Sequence, residues 1–369
     1  MNEKKKMMRL NLPCNLLEEI LSRVPATSLS GLRFICKRWN ALFKDPYFIK
    51  KATKQKSILI MRNFRVYSLS VNLNEIHNNI VVDPSIEFTS KLRSLNESEQ
   101  VDITEVFHCN GLLLCTNVES YKTKLVVVNP FTGKTRWIQP RSVYHRLDRY
   151  ALGYEYNNNN NNSYESYKIL RFPEDFSQLE IFDLKSNLWR VLAKIPPNED
   201  LCTFGRGLSL KGDAYWMSYC NILSFDFTIE RFRRFCYPYP FRCENNIAIS
   251  VFKEEQISLL HNDSDTLQME IWVSSKIDTE TVFSWSKCFT LDLSYQLSCR
   301  FSKKGSFIFD QEKEMVVYCR RSGDQRKNVI YIVSMHGWRK FDYDKDQSNY
   351  CYPFVFSYVP SLVSLNPPM

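Results

Sequence analysis

A unit of strand, turn and aromatic residue recurs along this chain, and such a repeat narrows the fold before anything else is considered. Its clearest copy is LVVVNPFTGKTRWIQP, from Leu125 to Pro140: a β-branched run, an Asn-Pro turn, a glycine, and Trp137 opening the next strand. LEIFDLKSNLWRVL places Trp189 after a turn at Asp183, and ILSFDFTIERFRRF places Phe232 after Asp226. Trp285 and Trp338 lie in the equivalent strands of later copies. These aromatics are 52, 43, 53 and 53 residues apart. A four-stranded propeller blade takes roughly 40 to 50 residues, so the period predicts a β-propeller with insertions. An aromatic that returns at one blade position meets a repeated packing need, so Trp137, Trp189, Trp285 and Trp338 are expected in the core.

Candidate inner strands lie between the turns: Gly111 to Cys115, Ala151 to Tyr154, Gly207 to Leu210, Ala248 to Phe252 and Ser306 to Phe309. A unit around Ile58 to Asn72 makes six blades. The apolar segment Phe354 to Leu365 follows the last copy and is expected to pair with the first blade, closing the ring and removing open sheet edges. Six consecutive asparagines, Asn157 to Asn162, read as a loop insertion within one blade.

The segment from Leu12 to Phe48, LPCNLLEEILSRVPATSLSGLRFICKRWNALFKDPYF, follows a different period. Asn15 and Glu18 form a capping-box pattern, and Leu17, Ile20, Leu21 and Val24 recur at helical spacing until Pro25. Ser28 can cap a second helix carrying Leu29, Leu32 and Ile35, and a third covers Cys36, Trp39 and Leu42. Asp45 before Pro46 is an N-cap followed by proline at the first helical position. About 40 residues cannot close a stable core alone, so some of these apolar residues must be covered by something else.

The ordered positions Leu12-Pro13, Ile20-Leu21, Val24-Pro25, Leu29, Leu32, the Cys36-Lys37-x-Trp39 cluster and Asp45-Pro46-x-Phe48 resemble the F-box. The words CNGLLLC from Cys109, VVNPFTGKTRW from Val127 and FSYVPSLVSL from Phe356 resemble the F-box-associated domain of plant proteins, a kelch-like propeller relative. Kelch repeats proper carry paired glycines, and this chain has no Gly-Gly among its 10 glycines. The implied fold class is a small N-terminal all-α F-box followed by a large all-β domain, a β-propeller of about six blades. The corresponding divisions are a basic N-terminus over 1–11, an F-box over 12–56 and the propeller-like domain over 57–369.

The resemblance implies a partner. In F-box proteins the motif's apolar positions grip a Skp-type adaptor, which docks on a cullin with its RING subunit. Carried onto this chain, the adaptor-binding residues are Leu12, Pro13, Ile20, Leu21, Val24, Pro25, Leu29, Leu32, Ile35, Cys36 and Trp39. The propeller would hold an unidentified target protein for ubiquitination. Two other classes remain open: an F-box interaction protein with no degradative target, and a propeller enzyme with a helical appendage.

Charge and composition bound the rest. The 369 residues are 44% hydrophobic and 14% aromatic, ample for a large core. Residues 1–60 hold 13 Lys or Arg against 4 Asp or Glu, which accounts for the whole net charge of +9. Without a zinc or base-stacking module, that basic end reads as a solvated face or a contact for acidic protein rather than for nucleic acid. No apolar run approaches 18 residues and no secretory signal opens the sequence, so an intracellular, nuclear or cytoplasmic protein free of the membrane is expected. The 12 scattered cysteines lack any C-x-x-C pair and read as buried small hydrophobes. The five histidines His77, His108, His145, His261 and His336 have no metal-ligand spacing, and Asp183 and Asp226 occupy turn positions. A non-catalytic protein without cofactor or metal is expected.

Overall fold

The computed structural model describes residues 12–24, 29, 31–32, 35–45, 47–48, 51, 57–72, 85–92, 102–119, 122–139, 141, 148–156, 166–173, 178–192, 203–238, 247–263, 266–277, 283–293, 305–322, 327–335, 337–344 and 353–365. The expectations for residues 1–11, for Pro25 and for Asn157 to Asn162 fall outside these. Two helices are delimited in the N-terminal region, α1 (Cys14–Ser22) and α2 (Lys37–Leu42). Leu29 and Leu32 between them are also helical. The capping-box expectation fails, because the N-cap is Pro13 and no side chain caps the helix. The Asp45 cap holds: its Oδ1 accepts the Tyr47 and Phe48 amides at 2.8 and 3.0 Å.

The remainder is a ring of six four-stranded antiparallel sheets. Blade 1 consists of β1 (Ser57–Arg62), β2 (Arg65–Asn72) and β3 (Ser85–Lys91), completed by β24 (Val355–Tyr358) in the order β24-β1-β2-β3. Blade 2 holds β4 (Glu105–Cys109), β5 (Leu112–Glu119), β6 (Lys122–Asn129) and β7 (Lys134–Ile138). Blade 3 holds β8 (Arg149–Glu155), β9 (Ser166–Phe172), β10 (Glu180–Asp183) and β11 (Leu188–Val191). In blade 4 these are β12 (Thr203–Leu210), β13 (Asp213–Ser218), β14 (Asn221–Asp226) and β15 (Arg231–Cys236). Blade 5 comprises β16 (Ile247–Phe252), β17 (Gln256–Asp263), β18 (Gln268–Ser274) and β19 (Trp285–Asp292). Blade 6 comprises β20 (Ser306–Asp310), β21 (Met315–Arg321), β22 (Asn328–Ser334) and β23 (Gly337–Asp344).

The innermost strands are β24, β4, β8, β12, β16 and β20, which meet one another around the axis. Four of the five proposed inner strands lie in this set. The fifth, Gly111 to Cys115, belongs to the second strand of its blade, and Glu105–Cys109 stands inside it. A two-residue turn joins the pair, with Asn110 at φ 45° and Gly111 at φ 76°, the double positive pattern of a type I′ hairpin. No side chain fits at Gly111, where a Cβ would lie 2.4 Å from that of Ser361.

Closure occurs as expected, with β24 pairing antiparallel to β1 from Ser57↔Tyr358 to Ile60↔Val355. The chain then runs beneath blade 2. Asn129 Nδ2 donates to the carbonyls of Ser361 and Val363 at 3.0 Å each, while its Oδ1 accepts the Phe131 and Thr132 amides. Asp183 and Asp226 act likewise on the turns that follow them.

The core is distributed between blades. Middle strands are buried on both faces, whereas the outer strand β11 alternates exposed and half-buried residues. The repeat aromatics stand on these outer strands, where Trp189, Phe232, Trp285 and Trp338 pack against the edges of the apolar clusters and Trp137 alone departs from the core expectation. Trp137 is 38% exposed, and Trp189, Phe232, Trp285 and Trp338 are half-buried. Two of them bolt blades together, since Trp189 Nε1 donates to Gln139 O at 2.8 Å and Trp285 Nε1 to Cys236 O at 2.9 Å. The cysteines also divide: Cys109, Cys115 and Cys319 are buried, but Cys14, Cys36, Cys220 and Cys236 are exposed.

Candidate functional site

On α1 the doublets Leu16-Leu17 and Ile20-Leu21 repeat at i and i+4, which lays two apolar stripes about 100° apart on one helix. The inner stripe is committed to the fold. Leu17 and Leu21 are buried with Leu29, Phe43 and Phe48 in one apolar cluster that continues into Leu59, Val106, Phe131 and Tyr358 of blades 1 and 2. Phe43 and Phe48 meet edge to face at 5.4 Å. Among the described residues nothing covers the outer stripe: Leu16 is 49% and Ile20 51% exposed, and Leu12 and Ile35 are exposed as well.

The eleven residues carried over from the F-box pattern therefore separate. Leu12, Pro13, Ile20, Ile35 and Cys36 are on the surface. Leu21 and Leu29 are interior, and Val24, Leu32 and Trp39 are half-buried against the same cluster. Pro25 is outside the described residues. The surface also includes Leu16 and Tyr47, which the sequence reading passed over. The doubled leucine signals the first of these, because a single inward stripe needs only one residue of each pair.

Polar contacts fix the platform. Arg38 Nη2 donates to Leu12 O at 2.7 Å and approaches Cys14 Sγ at 3.2 Å, tying α2 to the start of α1. Glu19 accepts from Lys51 and from Arg23, and these hydrogen bonds, Lys51 first, hold its carboxyl below the usual range. The result is an apolar outward face edged by the basic side chains of Arg23, Arg38 and Lys51.

Among the described residues no group of three or more His, Cys, Asp or Glu could hold a metal ion. No helix among them is long and apolar enough to cross a membrane. His108 is half-buried in the wall of the central cavity: its Nε2 accepts the Gly111 amide at 3.2 Å, its ring stacks on Phe356, and desolvation lowers its pKa to about 4.

Comparison with known proteins finds two family domains in the chain. Residues 9–51 match the F-box domain and residues 57–365 the F-box associated beta propeller domain. An F-box/LRR-repeat/kelch-repeat protein of Arabidopsis thaliana is 51% identical over 374 residues, covering 98% of this chain and all of the relative. An F-box protein of the same plant is 40% identical, covering 95% of this chain and 97% of its own length. An F-box/kelch-repeat protein, also from Arabidopsis thaliana, is 37% identical over 96% of this chain and 99% of the relative. With both domains matched in order and relatives of this identity along their whole length, the chain belongs to the plant F-box proteins that carry an F-box associated β-propeller.

Proposed function

We propose that the protein is the non-catalytic substrate receptor of a Skp-cullin-F-box ubiquitin ligase. The carrying observation is the outward apolar stripe of Leu12, Leu16 and Ile20, solvent-exposed like Ile35, on a platform whose other face is anchored in the propeller. Covering such a patch with a Skp-type adaptor removes it from water at a gain of roughly 25 cal/mol per Å² of apolar surface. The adaptor brings the cullin and its RING subunit, and the propeller holds the target. Catalysis is by proximity, because a tethered target meets the charged conjugating enzyme at a raised effective concentration.

The test uses surface residues. In full-length protein, Ile20→Asp with Ile35→Asp should leave thermal unfolding unchanged and abolish co-purification with the adaptor, since a carboxylate in the closed contact costs several kcal/mol. Undiminished adaptor binding by this variant refutes the assignment. Proteins that co-purify with wild type and accumulate when the double variant replaces it are the degradation targets.

A further inference from the structure

The centre of the ring is asymmetric. In β12, three residues, Gly205, Arg206 and Gly207, stand opposite the single residue Trp216 of β13, between the pairs Phe204↔Met217 and Leu208↔Tyr215. The other five inner ladders run without a register shift. The bulge pushes β12 inward until it meets β4, two blades away. Gly207 is required there, because a Cβ would fall 2.3 Å from Trp216 Nε1 and 2.8 Å from the Phe107 ring.

The bulge delivers a cation across the axis. The guanidinium of Arg206 lies 4.8 Å from the centre of the Phe354 ring, and its Nη1 is 3.7 Å from Met61 Sδ, both in or beside blade 1. Stacking on an aromatic face fixes the plane of the guanidinium, whose full positive charge and planar, forked shape suit a carboxylate. A cavity of about 270 Å³ surrounds it. Leu208, Val251 and Phe354, all half-buried, line it together with Ser250 and Ser357. At the opposite end from Phe354 the inner-strand turns contribute Lys211, Lys253 and Glu254, a positive balance that favours entry of an anion. An apolar cavity of about 150 Å³ accommodates benzene, so this one has room for a ring or short chain bearing an acidic group.

We propose that the central cavity of the propeller binds a small organic carboxylate, with Arg206 as its charge partner and Leu208, Val251 and Phe354 around its hydrocarbon body. Such a ligand joins blade 4 to blade 1 through the axis.

Purified full-length protein should be titrated with hydrocinnamate and hexanoate, and with the corresponding amides, by calorimetry and thermal unfolding. Both acids should raise the melting temperature and bind at least about tenfold more tightly than their amides. Arg206→Gln should erase that preference, and Arg206→Lys should keep part of it. Val251→Trp fills the cavity without touching the cation and should eliminate binding of acids and amides alike in a ring that still melts cooperatively. The proposal is overturned if neither acid binds at about 10 mM, a range generous for a ligand of this size. It also fails if acids and amides bind equally, or if Val251→Trp binds as wild type does. The last two comparisons stand even where Arg206→Gln fails to fold.

Discussion

Asp213, at the start of β13, is held in an unfavourable ionisation state by its surroundings. Burial first, and then the neighbouring Asp226 carboxylate, push its pKa up to about 7, against the opposing effects of Arg233 and the Phe227 amide. A carboxyl raised in the folded state binds more protons than the unfolded chain, so its stabilising contribution is present at acid pH and lost as pH rises from about 4 through about 7. Asp213→Asn should therefore stabilise the protein by roughly 2 kcal/mol at pH 8 and by almost nothing at pH 4, read from denaturant melts at both values. Leu29 and Ile20 separate in the same physical way. Leu29→Ala should cost about 2 to 5 kcal/mol because it empties a site inside the shared cluster, whereas Ile20→Ala should leave stability within about 0.5 kcal/mol. The turn roles of Asp183 and Asp226 were legible in the sequence, since a short acidic side chain before a tight turn bonds its own backbone. Arg206 was not, because nothing local announces a two-residue excess in a strand whose partner lies several residues further along.

At the scale of elements, the outer strands explain both what the repeat revealed and what it concealed. A recurrent tryptophan was a sound sign of blade period, and its place is the edge of the core rather than its centre. The indole N–H of Trp189 or Trp285 reaches a carbonyl at the rim of the preceding blade. Trp189→Phe and Trp285→Phe keep the ring and remove the bond, so each should cost about 1 kcal/mol in equilibrium unfolding. Trp137→Phe, on a more exposed ring, should change almost nothing. The inner strand of blade 2 was displaced in the sequence reading because CNGLLLC looks like one strand broken by a glycine. Physically it is a hairpin: Asn110-Gly111 is the turn, and the apolar run after it is the second strand. Helix α1 carried a similar ambiguity, as helical periodicity registers apolar faces without saying which is covered at home.

For the whole molecule, closure is the feature that binds distant parts. Removing residues 354–369 takes away the innermost strand of blade 1 and the carbonyls that Asn129 holds, and should yield aggregated protein in place of a cooperative melt in size-exclusion and calorimetric measurements. A well-behaved product would show that the ring closes otherwise. Ring architecture, closing strand and helical platform were all readable from pattern alone, because each repeats or completes a local rule; the seating of the platform on the ring depends on contacts that no local window contains.

Phe356 and Tyr358 of the closing segment share one apolar cluster with Leu17, Leu21 and Leu29 of the helical platform. During synthesis five blades can form from consecutive chain, but blade 1 waits for residues 355–358 to emerge. Until then the platform's own footing is incomplete. A prematurely terminated product thus emerges with an open β-edge and a poorly seated helix pair, which chaperones and proteases recognise, so the platform is properly footed only in a chain read through to residues 355–358.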